Sequence, residues 1–143
     1  MACPFFFPTI KSDSIAWAFP ARLPLGAGFC GTCRATGAEV APSENELRDF
    51  CNLGYSGACS RLPQQRHADC VRFAVATDRG SAIVLHYILE REHAPVEHGR
   101  VEFNRELQDW TVKLSDAVVQ RQAEVYLQNY LDRRRAALGE SLP

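Results

Sequence analysis

The alternation of apolar and polar residues after position 70 predicts a β hairpin. Val71, Phe73 and Val75 fall on one face of an extended segment, and a turn-forming segment at 78–81 follows. Residues 82–90 (AIVLHYILE) are rich in β-branched and apolar side chains and form the second strand. Because this strand has almost no polar face, we expect a central strand that is covered on both sides.

Two short strands and a long helix complete the predicted second half. Residues 100–103 and 110–112 are β-prone and flank a turn. Ser115 is placed to cap a helix over residues 116–138, and Gly139 follows its end. The apolar stripe of this helix contains Val119, Ala123, Tyr126, Leu127, Tyr130 and Leu131. An antiparallel meander packed against a long C-terminal helix is an α+β arrangement.

The first half of the chain shows little periodicity, and one short helix is predicted within it. Ser43 and Glu46 fit the capping box that begins a helix. Leu47, Phe50 and Cys51 then share one face, so Cys51 lies in the last turn on the apolar side. The predicted fold class is therefore α+β, with an irregular cysteine-rich N-terminal half that contains one short helix.

Length and charge limit the organisation and the partners of the chain. We expect a single domain, 1–143, made of a cysteine-rich metal-binding half, 1–70, and a meander-plus-helix half, 71–143. Sixteen basic and seventeen acidic residues lack the positive field that draws proteins to nucleic acid or to anionic membranes. The expected partner is therefore another protein. The oligomeric state is left open.

The amino end indicates the compartment in which the six cysteines function. It is apolar but is interrupted by Pro4 and Pro8, and it lacks the basic start of a secretory signal. No apolar run reaches the roughly 20 residues that span a bilayer. We expect a cytoplasmic protein, in which thiols stay reduced, so six cysteines suggest metal ligation rather than disulfides.

The spacing of the cysteines predicts a binding site. Cys30, Cys33, Cys51 and Cys59 follow the pattern C-x2-C-x17-C-x7-C. A tight turn at Gly31 would bring the first two sulfurs to one side, and Cys51 and Cys59 would arrive from a helix end and a glycine-rich loop. The sequence therefore predicts a metal or cluster site on these cysteines. No catalytic residue is predicted.

The identity of the bound group stays open at this point. Structural zinc usually uses two close ligand pairs, and only Cys30 and Cys33 have that spacing. The wider second interval, with glycine N–H groups in residues 54–58, favours an iron–sulfur cluster such as [4Fe–4S], with zinc as the alternative. The cluster would serve electron transfer, redox sensing or an accessory subunit, whereas zinc would stabilise a non-catalytic interaction module. A third possibility is a thiol oxidoreductase that uses the CGxC segment.

Other cysteines and histidines are secondary candidates. Cys3 and Cys70 are interpreted as space-filling residues, because free cysteine is often buried. Cys70 or His67 could replace one of the four ligands. A separate metal or acid–base site is conceivable where the three remaining histidines and neighbouring glutamates meet. That set contains His86, Glu90, Glu92, His93, Glu97 and His98.

Overall fold

The computed structural model describes residues 1–17, 20–53 and 59–139 and confirms the predicted α+β fold. A meander of four antiparallel strands packs on a long C-terminal helix, and a sheet of two strands lies in the cysteine-rich half. The elements are β1 (Phe6–Lys11), a 3₁₀ turn (Pro20–Arg22), β2 (Phe29–Cys33), α1 (Glu44–Glu46), a π-helical turn (Leu47–Cys51), β3 (Cys70–Arg79), β4 (Ala82–Arg91), β5 (Ala94–Asn104), β6 (Asp109–Val112) and α2 (Ala117–Ala137).

The meander follows the chain order β3-β4-β5-β6. The predicted hairpin is confirmed: β3 and β4 are joined at Gly80, whose φ of 58° suits the tight turn. The sequence does not predict the next connection, in which β4 passes directly into β5 through Glu92 and His93. Both residues have positive φ, at 52° and 65°. Such a turn normally carries glycine or asparagine, so the sequence contains no signal for it.

Helix α2 covers one face of the meander. Ile83, Leu85 and Val101 are fully buried from the sheet side and pack against Ala123 and Leu127 of the helix. The capping residue is Asp116 rather than Ser115: its carboxylate accepts hydrogen bonds from the amides of Val118 and Val119. Apolar packing and a charged cap therefore fix where this helix lies and where it begins.

The opposite face of the meander is not covered by the described residues. Val84 and Ile88 of β4 are half-buried there, and His86 between them is exposed. The expectation that β4 is covered on both sides is therefore wrong for this part of the chain. Within its sheet, β4 lies between β3 and β5. Only one of its faces reaches the core.

The cysteine-rich half is more regular than its sequence indicates. β1 and β2 pair antiparallel, with Pro8 opposite Gly31. A Cβ atom on Gly31 would lie 2.1 Å from the carbonyl oxygen of Phe7, so only glycine allows this approach. The amino end joins the meander through a bridge between Ala2 and Val71. This small sheet and the start of β3 together position the cysteines.

Candidate metal centre

Four cysteine side chains from separate segments line one small cavity. They are Cys3, Cys33, Cys51 and Cys59, and the cavity has a volume of about 10 Å³. Its other walls are mostly apolar, with one ion pair at the edge. They are Phe6, Ala35, Pro42, Glu46, Phe50, Arg61 and Leu62. Three of the four predicted ligands therefore meet here, and Cys3 is the fourth cysteine in place of Cys30.

Backbone contacts bring three of the cysteines to this cavity. Cys33 ends β2 and forms a two-hydrogen-bond bridge with Val40. Cys51 ends the π-helical turn, and its carbonyl accepts a hydrogen bond from the amide of Cys3 at 3.2 Å. The bridge between Ala2 and Val71 holds the neighbouring residue of Cys3 against β3. Cys3 is thus part of a hydrogen-bonded assembly, and all three of these cysteines are buried.

Asn52 fastens the π-helical turn to β2. Its side chain is buried, its Oδ1 accepts from the Phe29 amide at 3.0 Å, and its Nδ2 donates to the Phe29 carbonyl at 2.9 Å. Nδ2 also donates to the Leu47 carbonyl at 3.0 Å. Because Asn52 follows Cys51 directly, these bonds fix the helix end that carries Cys51 relative to the strand that carries Cys33. Sequence reasoning missed this residue.

Gln122 ties the amino-terminal segment to α2. Its side chain is fully buried, and Nε2 donates to the carbonyls of Cys3 and Phe6, both at 2.7 Å. A polar side chain within the apolar stripe of a helix is the only sequence signal for this role. The long helix, predicted for its packing alone, therefore also positions one of the cysteines.

The surroundings of the cavity favour the neutral form of the Cys51 thiol. Burial raises the pKa of the Cys51 thiol strongly, and the neighbouring thiols of Cys3, Cys33 and Cys59 raise that pKa further. The carboxylate of Glu46 acts on the pKa in the same direction. The sulfurs of Cys3, Cys33 and Cys59 thus lie close enough to that of Cys51 to act on its pKa.

One cation borders the cysteines. Nε of Arg61 pairs with Oε2 of Glu46 at 3.2 Å, and both side chains line the cavity. Nη1 of Arg61 is buried and has no hydrogen-bond partner among the described residues. Glu46 is itself fixed, because its Oε1 accepts from the Ser43 amide in the predicted capping box. The predicted cap is confirmed, and it also orients an acid at the site.

Cys30 does not line the cavity. The segment that contains Cys30 and Cys33 is a strand rather than the expected turn, and residues three apart in a strand point to opposite faces. Cys33 is opposite the fully buried Phe6, whereas Cys30 is opposite Ile10, which is 70% exposed. The expectation that a turn at Gly31 gathers both sulfurs is therefore wrong.

The suggested substitute ligands lie elsewhere. Cys70 is buried at the start of β3, and its thiol contacts Glu90 Oε1 at 3.9 Å. Burial and the Glu90 carboxylate raise the pKa of Cys70 to about 11. His67 pairs with Glu97 at 3.0 Å. The glycine N–H groups expected between residues 54 and 58 fall outside the described residues.

The second candidate site is dispersed. His86 and His98 share the open face of the meander, opposite Arg100 and Ile88 respectively, beside a depression of about 300 Å³. His93 lies in the turn between β4 and β5. The three glutamates divide among other contacts: Glu90 meets Cys70, Glu97 meets Tyr87 and His67, and the amide of Glu92 meets Asp69. These side chains therefore form no shared acid–base site.

Within residues 1–17, 20–53 and 59–139, no three His, Cys, Asp or Glu side chains are already arranged to hold a metal ion. The cysteines meet at one cavity without closing to the distances of metal ligands.

No helix of these residues is long and apolar enough to cross a membrane. No family model, curated protein or solved structure matches the chain.

Proposed function

We propose that this protein binds an iron–sulfur cluster through Cys3, Cys33, Cys51 and Cys59. The observation that carries the proposal is the convergence of these four thiols, from four segments of the chain, on one apolar cavity. Four thiolates are the usual ligand set of a cluster. Cys30 is replaced by Cys3 in the proposed set, and Cys70 and His67 are not part of it.

The arrangement of the ligands supports a cluster ahead of a single ion. Structural zinc sites are usually built from close pairs of ligands on tight turns. The four proposed ligands contain no such pair, since the smallest separation is between Cys51 and Cys59. Thiolates from four separate segments suit a cluster, which is held by several thiolates around it. Binding would release the thiol protons and displace apolar contacts at the cavity.

We expect the cluster to be oxidised and reduced by one electron in the cytoplasm. In electron transfer, the cluster would take one electron from a reduced protein partner and pass it to an oxidised one. Redox sensing or an accessory role in a larger complex would use the same change of charge. Zinc is the second candidate, and the small cavity volume of about 10 Å³ favours it. A zinc-loaded chain would be a structural interaction module with no catalysis.

The test is reconstitution of single cysteine variants under anaerobic conditions. We expect the wild-type chain to take up iron and sulfide and to show broad visible absorption that dithionite bleaches. Serine at position 3, 33, 51 or 59 should abolish or strongly reduce the bound iron. Cys30→Ser and Cys70→Ser are the matched controls and should keep it.

Three outcomes would contradict this assignment in different ways. Loss of iron in Cys30→Ser, with retention in Cys3→Ser, would restore the ligand set that the sequence predicts. A colourless wild-type protein that contains one zinc per chain would replace the cluster with zinc. A wild-type protein that binds neither metal would leave the cysteines as core residues. Circular dichroism of each variant distinguishes loss of a ligand from loss of the fold.

A further inference from the structure

A groove runs along one face of α2, and no cysteine among the described residues lines it. Its volume is about 690 Å³, within the range of sites that hold small organic molecules. Glu124, Gln128 and Arg135 line it from α2, where they recur at helical spacing on one face. The ends of β1 and β5 border the groove as well, with Lys11 and Phe103.

The groove concentrates positive charge in a chain whose formal net charge is −1. Five basic side chains line it, against two acidic ones. The basic residues are Lys11, Arg105, Arg121, Arg134 and Arg135, and the acidic residues are Glu124 and Asp132. The C-terminal end of a helix attracts basic residues, which accounts for Arg134 and Arg135. Lys11 comes from β1, so the helix end does not account for the whole positive patch.

Two of the basic side chains have no partner in the part of the chain that the structure describes. Arg121 pairs with Glu124 at 3.4 Å, and the Asp132 carboxylate accepts a hydrogen bond from a neighbouring amide at 2.9 Å. Lys11 and Arg135, by contrast, are exposed, and their side chains form no ion pair or hydrogen bond with described residues. An anionic group in the groove would therefore meet positive charge that the fold itself does not use.

The groove also has an apolar and aromatic side. Phe103 and Trp110 meet edge to face, with ring centroids 5.4 Å apart, and both are half-buried. Leu131 and Leu138 line the same groove, and Leu138 is 69% exposed. Apolar surface beside unpaired cations suits a ligand that combines an apolar body with an acidic group.

A second copy of this chain does not suit the helix face in the groove, because the charges of that face are symmetric about Gln128. Arg121 and Arg135 lie seven residues to either side, and Glu124 and Asp132 lie four residues to either side. Antiparallel pairing of two α2 helices about Gln128 would place arginine against arginine and acid against acid. Parallel two-fold pairing would place each residue against itself. Like charges meet in both arrangements, so the charge pattern favours a different occupant.

We propose that the groove along α2 binds a small organic anion with an apolar body, a class that includes fatty acids and aryl carboxylates. The apolar body packs on Trp110 and Phe103, and Lys11 and Arg135 supply positive charge to its acidic group. The residues of this site are separate from the four cysteines, so the inference does not depend on the proposed metal centre.

The test uses two fluorescent probes that differ by one negative charge, anilinonaphthalene sulfonate and its uncharged analogue N-phenylnaphthylamine. Each is titrated into the full chain, and dodecanoate or dodecanol is then added to displace it. The proteins are wild type, Lys11→Gln, Arg135→Gln, Trp110→Leu and Arg91→Gln. Arg91 is the matched control, since it is an exposed arginine at the end of β4 and does not line the groove.

We expect the wild-type chain to bind the sulfonate more tightly than the uncharged probe, and to release it to dodecanoate at lower concentration than to dodecanol. Lys11→Gln and Arg135→Gln should each weaken sulfonate binding about fivefold and leave binding of the uncharged probe unchanged. Trp110→Leu should weaken binding of both probes, and Arg91→Gln should change neither. Circular dichroism of each variant checks that the fold is kept.

Equal effects of Arg91→Gln and Arg135→Gln on sulfonate binding would overturn the site, since the probe would then report the general charge of the surface. A wild-type chain that binds neither probe, or that releases no sulfonate to dodecanoate, would overturn it as well. Displacement by polyglutamate and not by dodecanoate would replace the small anion with an acidic protein segment. Each of these results is obtained without metal, so failure here is distinguishable from failure of the proposed cysteine centre.

Discussion

At the scale of single residues, the cavity is lined by Cys3 and not by Cys30, which shows where spacing fails as a guide. Two cysteines three positions apart gather their sulfurs in a turn but separate them in a strand. β2 is a strand because β1 pairs with it, and β1 is distant in sequence from the cysteine pattern. The sequence indicates only a space-filling role for Cys3, yet its amide donates to the Cys51 carbonyl and its carbonyl accepts from Gln122.

Gly31 is needed for a reason that differs from the one its sequence suggests. The sequence favours glycine for the freedom of a turn, whereas the structure places it in β2, where no side chain fits. A Cβ atom there would meet the Phe7 carbonyl oxygen at 2.1 Å and the Phe6 ring at 2.9 Å. Close approach of two backbones leaves no local signal beyond the glycine itself.

Asn52 provides a prediction at the same scale. Asn52→Ala removes the hydrogen bonds to both backbone groups of Phe29 and leaves them buried without a partner. We expect a loss of about 3 kcal/mol in the free energy of unfolding, from two buried groups at roughly 1–3 kcal/mol each. Metal uptake should weaken as well, because Cys51 and Cys33 lose their fixed separation. Urea denaturation and metal titration measure the two effects.

Asn45→Ala is the control for Asn52, since Asn45 is exposed on α1 and its side chain accepts a hydrogen bond from Arg48. Its free energy of unfolding should change by no more than about 0.5 kcal/mol. Equal losses in the two variants would contradict the role given to Asn52.

At the scale of elements, prediction succeeded where the signal is local. The hairpin of β3 and β4 and the helix α2 follow from periodicity within one segment and from glycines at Gly80 and Gly139. The start of β5 was missed because Glu92 and His93 form a turn without glycine. β1 was missed because its Pro8 argues against a strand, although an edge position tolerates proline.

The short helix before Cys51 was predicted in position but not in kind. Its capping box at Ser43 and Glu46 is present as expected. After α1 the helix widens into a π-helical turn, in which the Asn52 amide bonds to the Leu47 carbonyl five residues earlier. Such turns are rare and often occur at functional sites. The widening lets Cys51 face the cavity while Asn52 faces β2, an outcome that no sequence periodicity predicts.

At the scale of the whole molecule, Asp78 joins the meander to α2. Its Oδ1 pairs with Arg105 Nη1 at 2.6 Å, and its Oδ2 accepts from the Tyr130 hydroxyl at 2.6 Å. The hydrogen bond from Arg105, helped by that from Tyr130 and by nearby positive charge, lowers the pKa of Asp78. This contact lies at the end of the sheet remote from the cysteines, so it tests the fold independently of the proposed centre.

Asp78→Asn should destabilise the chain in a pH-dependent way. A carboxyl group with a lowered folded-state pKa contributes stability above its unfolded pKa, which is about 3.9, and loses it as pH falls through the folded value. We expect a deficit of about 1.5 kcal/mol at pH 7, since an amide replaces a charged hydrogen bond. The deficit should shrink toward zero below the folded pKa of Asp78.

Urea denaturation of both proteins at several pH values measures this difference. Glu106→Gln is the control, because it removes the same charge from an exposed side chain next to Arg105. It should show no deficit at any pH. A deficit in Asp78→Asn that is independent of pH would show that packing, rather than the ionised carboxylate, joins the sheet to the helix.

As with the fold, the sequence predicts only those parts of the proposed centre that leave a local signal. Cys33, Cys51 and Cys59 could be proposed from sequence, because cysteines in a reducing compartment suggest a metal site. Cys3 and Asn52 could not, since their positions depend on pairings between distant segments. The single-domain organisation and the cytoplasmic location stay predictions.

The central claim is that Cys3, and not Cys30, completes a four-sulfur centre, and X-ray absorption at the metal edge tests it most directly. In the loaded wild-type protein we predict four sulfur ligands per metal atom at about 2.3 Å. Cys30→Ser should leave this shell unchanged, and any metal retained by Cys3→Ser should have lost one cysteine sulfur. A shell with nitrogen or oxygen ligands in the wild type, or one that changes in Cys30→Ser and not in Cys3→Ser, would contradict the account.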